Sequence, residues 1–128
     1  FVTLYPDGQD VEVFKFSALE KAWKEATLLS ETEHVTPYIW KNSTLKGGQK
    51  FISSNFACDT DYSSVRMTVD EEADFEVIKF LIDKLGANAG WREYADFYLN
   101  SQYLKSQNSF ITRNEGYIKS IENDEKKI

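Results

Sequence analysis

Ser64-Val-Arg-Met-Thr-Val-Asp70 runs without a break into Glu71-Glu-Ala-Asp-Phe-Glu-Val-Ile-Lys-Phe-Leu-Ile-Asp-Lys-Leu85. Val65, Met67 and Val69 alternate with Arg66 and Thr68, the period of a half-buried strand. From Asp70 onward the period changes. Phe75, Ile78, Leu81, Ile82 and Leu85 recur at helical spacing, and Val77 and Phe80 widen the apolar stripe. Asp70 stands at the joint as the expected N-cap, and Glu71, Glu72 and Asp74 place negative charge where the helix dipole favours it. Gly86 is the expected stop. A strand entering a helix through one acidic residue predicts an α/β fold, with Asp70 at the carboxyl edge of a sheet where ligands bind.

Outward from that stretch, the N-terminal side holds a turn at Tyr5-Pro-Asp-Gly8 and an alternating run from Asp10 to Phe16, read as a strand. Ser17-Ala-Leu-Glu20 reads as a capping box for a helix striped by Leu19, Ala22, Trp23 and Ala26 and fraying near Leu29. Thr36-Pro37 reads as N-cap and first position of a short helix ending near Asn42. Leu45–Lys50 reads as a tight turn before a strand over 50–56. On the C-terminal side, Trp91, Tyr94, Ala95 and Tyr98 mark a helix reaching about Leu104. Asn108-Ser109 reads as a break, a last short helix follows Arg113, and Glu122–Lys127 reads as a solvated tail.

The 128 residues allow one domain with a real core, and a share of 41% hydrophobic and 15% aromatic residues predicts a packed globular chain. A net charge of −6 argues against nucleic acid and against an anionic membrane surface. One cysteine, Cys58, makes no internal disulfide and fits a reducing compartment. With neither a membrane-length apolar run nor a signal-peptide pattern, the expected location is cytoplasmic. The start at Phe1 without methionine gives the expectation of a piece of a longer protein.

One histidine, His34, leaves little for Ser-His or Cys-His catalysis, and it reads as a local packing residue. There is no Cys/His cluster for zinc and no phosphate loop. Carboxylate chemistry remains. Asp10, Glu12 and Asp70 are hard oxygen donors of the kind magnesium takes one or two of, beside water and phosphate. Against that stand a plain cap for Asp70 and a solvent-facing edge for Asp10 and Glu12. Arg66 and Arg113 are candidate anion binders or ordinary ion-pair partners.

Four stretches then occur in order: Tyr5-Pro-Asp-Gly-Gln-Asp-Val-Glu-Val-Phe14, Glu31-Thr-Glu-His-Val-Thr-Pro-Tyr-Ile39, Arg66-Met-Thr-Val-Asp-Glu-Glu-Ala-Asp-Phe75 and Arg113-Asn-Glu-Gly-Tyr-Ile-Lys-Ser120. Together they resemble the C-terminal half of the spore coat polysaccharide biosynthesis protein F group, within the cytidylyltransferase superfamily that makes CMP-sugars. Gln9, where an apolar residue is usual, and Glu71-Glu-Ala, where Thr-Pro-Glu is usual, depart mildly from that pattern.

The resemblance implies the C-terminal portion of a nucleotide-diphospho-sugar transferase-like α/β fold over residues 1–128, as a single domain or fragment. It implies attack of a sugar hydroxyl on the α-phosphorus of CTP with magnesium. Asp70 and Arg66 would be catalytic, Asp70 would face the metal, and Gly8, Asp10 and Glu12 would lie on the sugar side. The nucleotide loop and first metal motif of that group have no counterpart here, so the chain alone is expected to be inactive and to form a homodimer in which the Trp91 helix takes part. A glycosyltransferase on the same fold and a non-catalytic interaction domain are the competing readings.

Overall fold

The structure, a computed structural model, describes residues 3–126. It is helical: α1 (Phe16–Glu25), α2 (Leu29–Glu33), α3 (Pro37–Lys41), a 3-10 turn at Thr44–Lys46, α4 (Glu72–Leu85), α5 (Trp91–Asn100), α6 (Gln102–Asn108) and α7 (Glu115–Glu125). Among the described residues there is no strand and no sheet, which overturns the α/β, nucleotide-diphospho-sugar transferase-like expectation. What remains of strand pairing is two isolated parallel bridges, Asp7 with Arg66 and Ser43 with Phe51.

The reason lies in the backbone of the central stretch. Val65 and Met67 are buried as expected, but the alternation fails on either side of Met67: Arg66 is buried as well and Val69 is 52% exposed. This stretch pairs through the backbone with the segment Leu4–Asp7: Tyr62 N–H donates to the Leu4 carbonyl, Asp7 N–H to Val65, and Met67 N–H to Asp7, each at 2.8 Å. On the other side the Arg66 carbonyl accepts from the side-chain amide of Asn108 at 3.3 Å. A side chain thus takes the place a further strand would fill, and the ladder stops.

The chain divides into two compact units. One joins the segment ending at Val11 to Ala57–Arg113; the other joins Glu12–Phe56 to the segment from Asn114. In the first, α4, α5 and α6 pack on one another. Their core is built on Val65, Met67, Val77, Leu81, Ala95, Tyr98 and Leu104, with Cys58 and Tyr62 closing it. Trp91 lies edge-on to Tyr62 with ring centroids 5.5 Å apart and tilted against Tyr5 at 5.6 Å. The helix of Trp91 is therefore a core element, with Ala95 and Tyr98 facing inward.

In the second unit α1 packs on α3 and α2 packs on α7. Tyr38, buried on α3, lies edge-on to Phe51. His34 meets Tyr117 in a T-shaped contact at 5.5 Å, and its Nε2 lies 3.0 Å from the Ser120 hydroxyl. Asp124, expected in a solvated tail, is buried and accepts from the Ser30 N–H at 3.2 Å. The expected strand from Asp10 to Phe16 is an exposed irregular segment that becomes helix at Phe16, with Val11 81% and Val13 94% exposed. Its alternation has no second segment to pair with. The expected strand over 50–56 keeps only the Phe51 bridge, and Ile52 is 98% exposed.

Candidate functional site

The residues that sequence reading singled out divide between the two units. Arg66, Asp70, Gly8 and Asp10 lie in the first, where three of the recognised stretches meet. Glu12 belongs to the second unit, where its carboxylate accepts from the Thr36 hydroxyl.

Arg66 is the hub. It is a buried cation, 8% exposed, and each of its three nitrogens faces a carboxylate. Nε donates to Asp74 Oδ1 and Nη2 to Asp74 Oδ2, both at 2.9 Å. Nη1 donates to Asp7 Oδ2 at 2.9 Å, and Nη2 also reaches Asp70 Oδ2 at 3.2 Å. A planar fork of five N–H groups suits this multidentate holding, which lysine could not reproduce.

Asp74 is fully buried and saturated. Besides Arg66 it accepts from Asn108 Nδ2 at 2.9 Å and from the backbone N–H groups of Glu71 and Asp70 at 3.1 and 3.3 Å. Burial pushes its carboxyl up, but the bonds from Arg66, Asn108 and the two backbone donors outweigh this and hold it below the usual range. Asn108 also receives the Tyr98 hydroxyl at 2.8 Å, so the network reaches the middle of the core. The start of α4 follows from this. Its N-cap is Glu71, not Asp70, and the carboxylate closing the first turn belongs to Asp74. Asp70 lies one residue before the cap, freed from capping.

Asp70 is then the exposed member, its side chain 66% open, and Oδ2 accepts from Arg66 and from the Thr68 hydroxyl at 3.2 Å. Asp7 is 15% exposed and lies between two guanidinium groups. Its carboxyl is raised because burial outweighs the attraction of Arg113 and Arg66. Arg113 Nε stands 3.5 Å from Asp7 Oδ1; its Nη1 donates to the Tyr5 carbonyl at 3.3 Å and its Nη2 to Asp10 Oδ1 at 3.2 Å. Gly8 sits in the left-handed region at φ 90°, and a Cβ there would lie 2.7 Å from the Thr68 nitrogen and 2.9 Å from the Met67 carbonyl. Its place follows from this close backbone approach.

Asp7, Asp74 and Asn108 were not picked out as site residues by sequence reading. Asp74 looked like one of three acids loading a first turn, and Asn108 looked like a helix stop. The one signal was Asp7 inside Pro-Asp-Gly, which a turn explains equally well.

No group of three or more metal-ligating side chains occurs among the described residues. The donor set fits magnesium only in its sparsest form. Asp74 is committed to five donors and Asp7 to two guanidinium groups, which leaves the second oxygens of the exposed Asp70 and Asp10 outside these bonds. Magnesium held by one carboxylate with water and phosphate matches that arrangement.

No protein-family model matches the chain, and no solved structure matches it. It is similar to the uncharacterized protein MJ1063 of Methanocaldococcus jannaschii, with 33% identity over 108 residues, covering 81% of this chain and 42% of that protein. The chain thus spans less than half the length of that relative. Among the described residues, no helix is long and apolar enough to cross a membrane.

Proposed function

We propose that this chain is the acceptor-sugar and metal-side part of a cytidylyltransferase that couples a sugar acid to CMP from CTP for surface polysaccharide biosynthesis. The observation that carries the reading is the meeting of separated stretches. Asp7 and Asp10 from the Pro-Asp-Gly stretch, Arg66, Asp70 and Asp74 from the central one, and Arg113 from Arg-Asn-Glu-Gly form one continuous set of ion pairs. The second unit adds two more meetings, Glu12 with Thr36 and His34 with Ser120. Residues 100 positions apart gain nothing from such pairing by local propensity, so these stretches are tied together by tertiary structure.

In this reading Asp70 offers its free oxygen to magnesium, which when bound supplies charge neutralisation at the phosphate under attack. Arg66 is a positioning residue, since its donors are already spent on Asp7, Asp70 and Asp74. Asp10 and Gly8 flank the acceptor sugar. The parent protein works in the cytoplasm as a homodimer, and the exposed Val13, Phe16 and Trp23 are apolar surface of the kind an interface covers.

The test is thermal stability of the parent protein with magnesium and either CTP or a nucleotide-sugar, beside pyrophosphate release. A ligand at a hundred times its Kd adds about 2.7 kcal/mol to stability. The expected result is stabilisation by CTP and pyrophosphate released only when a sugar acid is also present. Stabilisation by a nucleotide-sugar alone would replace this reading with a glycosyltransferase. Silence from both would leave an interaction domain.

A further inference from the structure

In the second unit, α2 and α7 hold each other through polar side chains. The buried residues of the two helices are Ser30 on α2 and Ser120 and Asp124 on α7. Asp124 Oδ1 accepts from the Ser30 N–H at 3.2 Å. One turn back along α7, the Ser120 hydroxyl donates to Glu33 Oε2 at 2.7 Å and lies 3.0 Å from His34 Nε2. A further turn back, the Tyr117 ring meets His34, and it also meets Trp40 at 5.9 Å and the Lys41 ammonium at 5.8 Å. The contrast is with α4, α5 and α6, joined by the fully buried Val77, Leu81, Tyr98 and Leu104. Hydrogen bonds replace bonds to water and each adds little net stability. The Tyr117 hydroxyl even subtracts from it: shut off from solvent, it has no hydrogen-bond partner among the described residues. That cost is borne only while α7 is seated.

Neither helix stands by itself. α2 has five residues, and its own bonds amount to the Glu31 and Thr32 N–H groups on the Leu28 carbonyl, both at 3.1 Å. Its N-cap residue Leu28 supplies no side-chain bond, and Asp124 of α7 takes the Ser30 N–H instead. α7, with eleven residues, is also shorter than the roughly 12–15 at which an isolated helix becomes marginal in water. It begins from Asn114 at φ 58°, in the left-handed region that asparagine tolerates, which gives the chain a point to turn about.

We infer that α2 and α7 form one order–disorder switch: α7 leaves its seat as a unit, and α2 melts when it does. Ser120 and Asp124 are the latch. The switch holds whichever reaction the parent protein runs. It makes the positions of Glu31, Glu33 and His34 conditional on α7, and with them the placing of Glu31 3.6 Å from Lys41. Two of the four recognised stretches, 31–39 and 113–120, thus share one device: the second carries Tyr117 and Ser120, which hold His34 of the first.

The experiment is hydrogen–deuterium exchange of the complete protein, read on peptides over residues 29–34 and 115–125 beside peptides over 72–108. The first two are expected to exchange through one common opening, about tenfold or more faster than the third. Ser120→Ala and Asp124→Ala both lie on α7. Each is expected to speed exchange over 29–34 as much as over 115–125, by about tenfold, and to leave 72–108 unchanged. Tyr117→Phe keeps the ring and removes the unpartnered hydroxyl, so it is expected to slow exchange in both helices several-fold.

That last sign is decisive, because most substitutions at a packed contact loosen it. It stays readable if either alanine variant fails to fold. Protection over 29–34 that survives the opening of α7 overturns the inference. So does faster exchange in Tyr117→Phe, or exchange in the two helices no faster than over 72–108.

Discussion

Arg66 grips both oxygens of Asp74 from one side, Nε on Oδ1 and Nη2 on Oδ2, each at 2.9 Å, with the carboxylate wholly shut off from solvent. The pair joins the extended stretch before α4 to the first turn of α4 itself. It fixes where the helix begins, and with it where Asp70 stands. A buried pair of this kind is costly to break from one side, because the survivor remains a charge without a partner.

Removing the guanidinium therefore has a large effect. Arg66→Met is expected to destabilise the fold by about 3–5 kcal/mol, as Asp74 is left buried without a counter-ion and Asp7 keeps only Arg113, at 3.5 Å. Combining Arg66→Met with Asp74→Leu is expected to recover much of that loss. Urea unfolding of the single and double variants measures the difference. Equal stability of the two would show that Asp74 is not the group left stranded.

The fully buried Asp74 and the half-buried Asp7 pull stability in opposite directions with pH. Asp74 is held below the usual carboxylate range, so its contribution is present above about pH 4, the unfolded value, and is lost as pH falls through the folded one. Asp7 is raised, so its contribution is present below about pH 4 and is lost as pH rises through its folded value. Asp74→Asn is expected to flatten the acid limb, and Asp7→Asn to remove a decline just above it. Denaturant titrations between about pH 3 and 7 read both slopes.

Asp70→Asn separates stability from chemistry. Since Glu71 is the N-cap and the Asp70 side chain is two-thirds exposed, stability is expected to change by no more than about 1 kcal/mol, the worth of an exposed ion pair. In the parent protein the same change is expected to reduce turnover by orders of magnitude at fixed magnesium, with partial recovery at higher magnesium. Full turnover would remove Asp70 from the metal site.

Gly8→Ala is expected to cost about 2 kcal/mol or more, because φ 90° disfavours any side chain and the new Cβ meets backbone atoms that cannot swing aside. Gly47→Ala offers the contrast: φ is 80° but nothing lies within 4 Å, so only the conformational strain remains. Thermal unfolding of both variants checks the order. A smaller loss at Gly8 would mean the Met67–Thr68 backbone yields there.

The sequence by itself determined the elements whose signals are local. The stripe from Phe75 to Leu85 gave α4, stopping at Gly86. Thr36-Pro37 gave α3 with proline in its first turn, and the break read at Asn108-Ser109 is there. The Trp91 helix expected to reach about Leu104 instead stops at Asn100, and a separate α6 begins at Gln102. Dipole, cap and period act over one or two turns, so nearby residues suffice to reveal them.

Tertiary structure decided what those signals left open. Alternation reported the burial of Val65 and Met67 but not that of Arg66 or the exposure of Val69. Nor does burial say which group accepts or donates at the backbone. Asn108, some forty positions on, supplied a side chain where a strand was expected, and no sheet formed. The cap stands at Glu71, where Asp74 bonds back to the Glu71 N–H through the same carboxylate that Arg66 holds. Long-range pairing also joined Arg113 to Asp7 and Asp10 across more than a hundred positions. Ion pairs and side-chain caps of that range depend on which segments meet, and a one-dimensional pattern of polarity carries no term for that.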